Sequence, residues 1–234
     1  MKKLTISSFA LLVLGFAPVA LAQTNISSGH WDIAAHEHLH DGETELELEL
    51  HNHELGGGAP LDGSTITYNF GTNAKVDITV GASNLGLLWV SPASEVEADE
   101  MGMPFIGFSA EELAAPFTGP VTFTMTGFSY TGSGTGNFYL FEGEEIFFNS
   151  TAGPGSFGDF SVDVGQHGHG EFGFSDAGLY QITLVASGNN GEPVSGDPAT
   201  FTFDVVPEPS TYALLGLGAG ALALLRLRKR SRQN

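Results

Sequence analysis

The chain has 234 residues, with 8 Lys and Arg, 27 Asp and Glu, 8 His, 32 Gly and no Cys. A formal charge of −19 argues against a nucleic-acid partner, because almost nothing would neutralise phosphates. The lack of cysteine excludes disulfides, thiolate zinc sites, iron–sulfur clusters and cysteine nucleophiles, while 41% hydrophobic residues suffice for a packed core. Charge is unevenly spread. Lys2 and Lys3 open the chain and Arg226, Arg228, Lys229, Arg230 and Arg232 close it. Between Gln23 and Val206 only Lys75 is basic, against 26 acidic residues, and all eight histidines lie there too.

Met1–Ala22 reads as a secretory signal peptide, cleaved after Ala22 by signal peptidase. Lys2 and Lys3 supply its charged start, Phe9–Val19 its apolar run and Ala20-Leu21-Ala22 its small-residue cleavage site. That run is too short to span about 30 Å of hydrocarbon.

Residues 23–206 read as one all-β domain. Leu46, Leu48 and Leu50 alternate with Glu45, Glu47 and Glu49, and Val76, Ile78 and Val80 with Lys75, Asp77 and Thr79. Val121, Phe123 and Met125 alternate with threonines; Phe160, Val162 and Val164 with Ser161 and Asp163. Tyr180, Ile182 and Leu184, then Phe201, Phe203 and Val205, repeat the pattern. Shorter runs at Leu87–Val90, Phe138–Phe141 and Ile146–Phe148 bring the strands to about nine. The one predicted helix is short, capped by Ser109 with Glu112 completing a capping box. Short strands and Gly-rich turns predict a two-sheet antiparallel β-sandwich of immunoglobulin-like type, with a β-barrel as its nearest competitor.

The histidines are grouped. His30 accompanies His36, His38 and His40; His51 accompanies His53; His167 accompanies His169. On a strand, residues i and i+2 point to one face about 7 Å apart, close enough for two imidazoles to share an ion. His51 and His53 continue the register of the glutamates, opposite the leucines, so they belong on the polar face. Glycines flank His167 and His169, leaving room for a ligand. The run of acids from Asp41 to Glu49 reads as a solvated face that concentrates cations, since no calcium-loop pattern is present.

Val206-Pro207-Glu208-Pro209-Ser210, the apolar run Thr211–Leu225 and the basic cluster from Arg226 close the chain. These three parts resemble the PEP-CTERM sorting signal of Gram-negative bacteria. Residues 207–234 are then a sorting and anchor segment with a short transmembrane helix. The resemblance implies transient anchoring in the inner membrane, processing by an exosortase-type enzyme and release toward the cell surface.

The middle of the chain is similar to choice-of-anchor M domains from Gly29 to about Val205. The likeness rests on six ordered segments: Gly29-His30-Trp31-Asp32-Ile33, Leu48-Glu49-Leu50-His51-Asn52-His53, Leu88-Trp89-Val90-Ser91-Pro92, Phe105-Ile106-Gly107-Phe108-Ser109, Gly134–Leu140 and His167–Tyr180. It implies capture of scarce metal outside the cell, with a metal-type ABC transporter as a partner, because related sets are tied to zinc-regulated genes and such transporters. The positions it carries over are His30, Asp32, His51, His53, His167 and His169. Phe172 stands where relatives commonly show Trp. His36, His38 and His40 are an addition, expected on a mobile loop as an accessory site.

A non-enzymatic, exported zinc-binding protein is therefore the leading reading, with manganese or copper(II) as alternative ions. A matrix or adhesion protein associated with exopolysaccharide is the second, with Trp31, Trp89, Tyr130 and Tyr139 as sugar-stacking residues. An enzyme ranks last. There is no Gly-x-Ser-x-Gly, cleavage after Ala22 leaves Gln23 rather than a histidine first, and nothing selects among Glu37, Glu49 and Glu171 as a base.

Overall fold

The computed structural model describes residues 25–40, 43–52, 65–71 and 73–207. The signal peptide, His53, and the apolar run and basic tail of the C-terminal segment lie outside the described residues. Among the described residues no helix is long and apolar enough to cross a membrane.

The first half of the chain forms β1 (Asn25–Ile26), β2 (Gly29–His40), β3 (Glu43–Asn52), β4 (Thr65–Gly71), β5 (Val76–Val80), β6 (Ser83–Val90), α1 (Glu95–Met101) and β7 (Pro104–Ser109). There follow β8 (Pro120–Gly132), β9 (Phe138–Glu142), β10 (Glu145–Asn149), β11 (Asp159–Asp163), β12 (His167–His169) and β13 (Glu171–Phe174). The last strands are β14 (Gly178–Asn189), β15 (Pro193–Ser195) and β16 (Ala199–Pro207).

Sandwich-like packing is present, with three sheets rather than two. A seven-stranded sheet runs β1-β4-β16-β14-β8-β11 with β15 beside β14; a five-stranded sheet runs β10-β9-β13-β6-β5; a four-stranded sheet runs β12-β7-β2-β3. The expected purely antiparallel pairing also gives way, since β1 with β4, β4 with β16 and β2 with β7 are parallel. Such pairings join segments far apart in sequence, and side-chain alternation carries no information on strand direction.

All three sheets contribute to one core. Phe108 of the four-stranded sheet meets Phe123 of the seven-stranded sheet at 5.2 Å and Phe172 of the five-stranded sheet at 6.3 Å between ring centroids. Phe172 in turn packs on Phe203 at 5.6 Å. Each predicted alternating run is a strand, and its apolar members face this core, apart from the Val76–Val80 run, where Val76 is exposed and Ile78 and Val80 join a smaller cluster with Leu88, Tyr139 and Phe141.

The predicted helix is misplaced. Residues 110–113 form a turn in which Ser109 Oγ accepts the Glu111 N–H at 3.2 Å. Pro116 limits any helix there, because it lacks an N–H and pushes Ala115 from helical geometry. The capping box belongs to α1, where Ser94 Oγ accepts the Glu97 N–H and the Glu97 carboxylate accepts the Ala93 N–H.

Lys75 sits over the Trp89 ring at 4.5 Å, donates to the Ser175 carbonyl and faces the Asp176 carboxylate at 3.8 Å. Burial pushes the Asp176 carboxyl up, but donors from Gly136, Ser175 and Thr135 together with the Lys75 charge bring it below the usual range. A depressed carboxyl stabilises the fold above its unfolded titration range and loses that contribution as pH falls through its folded value. Asp176→Asn should therefore lower the melting temperature at pH 7 and converge on the parent only as pH falls well below the ordinary Asp value of about 3.9. Phe108→Ala should cost about 3–5 kcal/mol in urea denaturation, because its buried ring is surrounded by aromatic partners that cannot collapse onto the cavity.

Candidate metal centre

The four-stranded sheet turns one face to the core and the other away from it. Ile33, Ala35, Leu46, Leu48, Leu50, Ile106 and Phe108 take the core face. Because side chains alternate along strands, their neighbours take the other. Register places His30 beside Phe105, Asp32 beside Gly107 and Ala34 beside Ser109. His167 pairs with Ser109 and His169 with Gly107, which adds both imidazoles to that face. Asp32 opposes His51, Ala34 opposes Glu49 and His36 opposes Glu47.

One nitrogen from each of His30, His167 and His169 lies within 4.8 Å of the others, and Asp32, Glu111 and His167 form an overlapping set of the same span. Their ring centroids are 4.9–5.8 Å apart. His30 and Asp32 are 8% and 1% exposed, and His30 Nε2 lies 3.7 Å from Asp32 Oδ1. Phe105 stacks on His169 with centroids 4.1 Å apart, fixing the plane of that ring.

Outer contacts orient the nitrogens. The Ile106 carbonyl lies 3.2 Å from His169 Nδ1; a carbonyl only accepts, so Nδ1 carries the proton and Nε2 keeps its lone pair. Glu111 lies 2.8 Å from His167 Nδ1 and Glu95, at the start of α1, lies 3.4 Å from His30 Nδ1. Burial lowers the His169 pKa and keeps that ring neutral. The Asp32 carboxylate raises the His30 pKa, against the opposing effect of burial. Neutral imidazoles held by carboxylate or carbonyl acceptors are the usual form of metal-ligating histidine.

A glycine makes the floor. A Cβ at Gly107 would lie 2.2 Å from Asp32 Oδ1 and 2.5 Å from His169 Cε1, so any side chain there would occupy the space these groups share.

Of the residues singled out from sequence, His30, Asp32, His167 and His169 come together. His51 stands apart from them, grouped with His36 and Glu112. His38 is exposed and lies 3.5 Å from Glu47. His40 lies on β2, but its side chain is outside the described residues, as is all of His53. The stretch expected as a loop is a continuation of β2, paired with β3 through Glu43.

His36-Glu37-His38-Leu39-His40 also spells His-Glu-x-x-His, a pattern that sequence reasoning passed over. That motif works on a helix, where four residues rise about 6 Å. On β2 the same two positions are about 13 Å apart along the strand, so the hydrolase geometry is not formed. Glu95, Glu111 and Glu112 were missed because they lie in segments without histidines; only the fold brings them over the sheet.

The stacking aromatics are engaged in packing. Trp89 lies against Phe70 and donates to the Asn73 carbonyl, Trp31 donates to Ser28, and Tyr130 donates to Ala177.

The family model for the PEP-CTERM protein-sorting motif matches residues 205–230. No curated protein and no solved structure matches the chain. The motif marks an exported, surface-sorted protein and is the signal read by exosortase.

Gly107→Ala should cost about 1–3 kcal/mol by overpacking. It should also shift the imidazole resonances of His169 while leaving those of His38 in place, as read by NMR of the histidine side chains.

Proposed function

We propose that this protein is a non-enzymatic, exported metal-binding protein whose primary ion is zinc. The observation that carries this reading is the convergence of His30, His167 and His169 on one face, with Asp32 beside them and Gly107 leaving the room. The first comes from β2 and the other two from β12, strands more than 120 residues apart in sequence.

The donor set suits zinc. Zinc–nitrogen bonds of about 2.0–2.1 Å require ligand atoms about 3.3 Å apart at a tetrahedral edge. The 3.7 Å between His30 Nε2 and Asp32 Oδ1 is within a small side-chain adjustment of that edge. Imidazoles with one carboxylate favour zinc or copper(II), whereas manganese favours more oxygen. His30, His167 and His169 would hold the ion with Asp32, and Glu111 and Glu95 would orient two of the rings.

The sorting motif supports the setting in which such a site is useful. A domain carried to the cell surface meets metal before any cytoplasmic transporter does, and the likeness of Gly29–Val205 to choice-of-anchor M domains agrees with scarce-metal capture. A metal-type ABC transporter is the partner this reading implies.

Competition with a chromophoric zinc chelator on the full-length, untagged chain should show saturable binding with a Kd below about 10 µM at neutral pH, as expected of a built site. His167→Ala/His169→Ala should abolish binding at this centre. Affinity should weaken below about pH 6, because protons compete for imidazoles that must be neutral to ligate. No saturable binding at neutral pH would leave the reading without support. Retention on the organism's own exopolysaccharide, unaffected by chelator, would favour the matrix reading instead.

A further inference from the structure

Beside the centre just described, the same sheet face carries a second cluster of ligand-type side chains. His36 of β2 and His51 of β3 meet with ring centroids 4.3 Å apart, although their backbone positions are separated along the sheet. Between them lies the register pair Ala34–Glu49. A small residue at position 34 leaves the space over which both rings close.

Glu112 orients this pair. Its Oε2 lies 2.9 Å from His36 Nδ1 and its Oε1 lies 2.8 Å from His51 Nδ1. One carboxylate thus accepts an N–H from each ring, the outer arrangement that fixes the tautomer of metal-ligating histidines. In the neutral rings both Nε2 atoms are then left as acceptors. They face a third acceptor: Glu49 Oε2 lies 3.3 Å from His36 Nε2 and 3.7 Å from His51 Nε2.

Neither Nε2 has a hydrogen-bond partner, and both are sealed from solvent. Two imidazole lone pairs and a carboxylate oxygen crowded together repel unless a proton or a metal cation lies among them. A hydrogen bond would draw these atoms closer, to about 2.7–2.9 Å for a charged pair. The 3.3 Å separation instead equals the edge of a tetrahedron with bonds of about 2.0–2.1 Å, which is about 3.3 Å, and the 3.7 Å one is a small side-chain adjustment from it.

We propose that His36 Nε2, His51 Nε2 and Glu49 Oε2 form a second zinc site, with Glu112 as the positioning residue for both rings. The inference rests on the metal-binding reading of the first centre and extends it to two ions per chain. Two consecutive residues tie the sites together: Glu111 contacts His167 of the first and Glu112 contacts both histidines of the second. His51 thereby has a role distinct from the one suggested by its resemblance to relatives, and His36 is a ligand in a strand.

The test counts zinc bound by the full-length chain and its variants in chelator competition, with far-UV circular dichroism confirming the fold of each. The expected stoichiometry is two for the parent, one for His167→Ala/His169→Ala and one for His36→Ala/His51→Ala. Glu49→Gln, which keeps the shape of the side chain, should also bind one. Glu112→Gln should retain two ions but weaken one of them about 10–100-fold, as loss of an outer-shell acceptor does. Cobalt(II) added to His167→Ala/His169→Ala should give the visible ligand-field bands of a four-coordinate site, absent once His36 and His51 are also replaced. A parent that binds one ion, lost in His167→Ala/His169→Ala and unchanged in His36→Ala/His51→Ala, overturns the second site and leaves the first standing. A parent that binds none overturns both.

Discussion

A carboxylate buried to 1% exposure needs a countercharge, and in this domain the usual suppliers are missing. Between Gln23 and Val206 there is one lysine and no arginine, and Lys75 is committed to Ser175 and Asp176. Asp32 instead lies next to His30, with His167 and His169 in the same cluster. Only imidazolium or a bound cation can balance charge in such a setting. Imidazolium is costly for His169, whose burial favours the neutral ring. His30, whose pKa Asp32 raises, supplies that charge when protonated; on the proposed reading a divalent ion would supply it for the whole cluster.

The rest of the architecture follows from holding that cluster in place. Four strands must align so that alternate residues of each reach one face, and parallel pairing of β2 with β7 sets Asp32 beside Gly107. Small residues are as necessary as ligands: Gly107 makes room beneath Asp32 and His169, and Ala34 lies beneath His36 and His51. The opposite face of the same sheet is anchored by Phe108 and Ile106 in the aromatic core, so the clustered histidines stand on strands rather than on loops. The closing acids come from the turn after β7, where Ala110 and Leu113 are buried and hold Glu111 and Glu112 over the sheet.

Alternation made the single-faced strands legible in the sequence, as at Leu46–Leu50 and Val121–Met125. Strands buried on both faces gave no such signal: all six residues of β7 are buried, so its sequence shows no polar phase. β2 was hidden for a related reason, since His30 and His36 look like solvent-facing residues until Glu95 and Phe105 meet the first and Glu112 the second. The pairing of His167 with His169 was readable because i and i+2 share a face whatever the tertiary fold. The partition of the histidines into two groups was not, because it depends on which strands are neighbours. His51 moves away from its sequence companions for that reason alone. Likewise the run from Asp41 to Glu49 reads as uniform, whereas Glu47 is exposed and Glu49 is drawn in beside His36 and His51.

Export and acidity bear on the same chemistry. The sorting motif begins on β16, an interior strand of the seven-stranded sheet, while the histidine face belongs to the four-stranded sheet and points away from the shared core. The start of the motif and the histidine face thus belong to different sheets. Outside the cytoplasm the domain's 26 acidic residues against one lysine draw divalent cations toward its surface, a long-range effect that salt screens within about 10 Å. Attraction alone does not select among cations. Selection needs nitrogen donors at fixed separations, and on this surface those are found where β2, β3 and β12 bring their histidines together under Glu111 and Glu112. On the proposed reading, broad acidity would bring the ions in and a few buried imidazoles would decide which one stays.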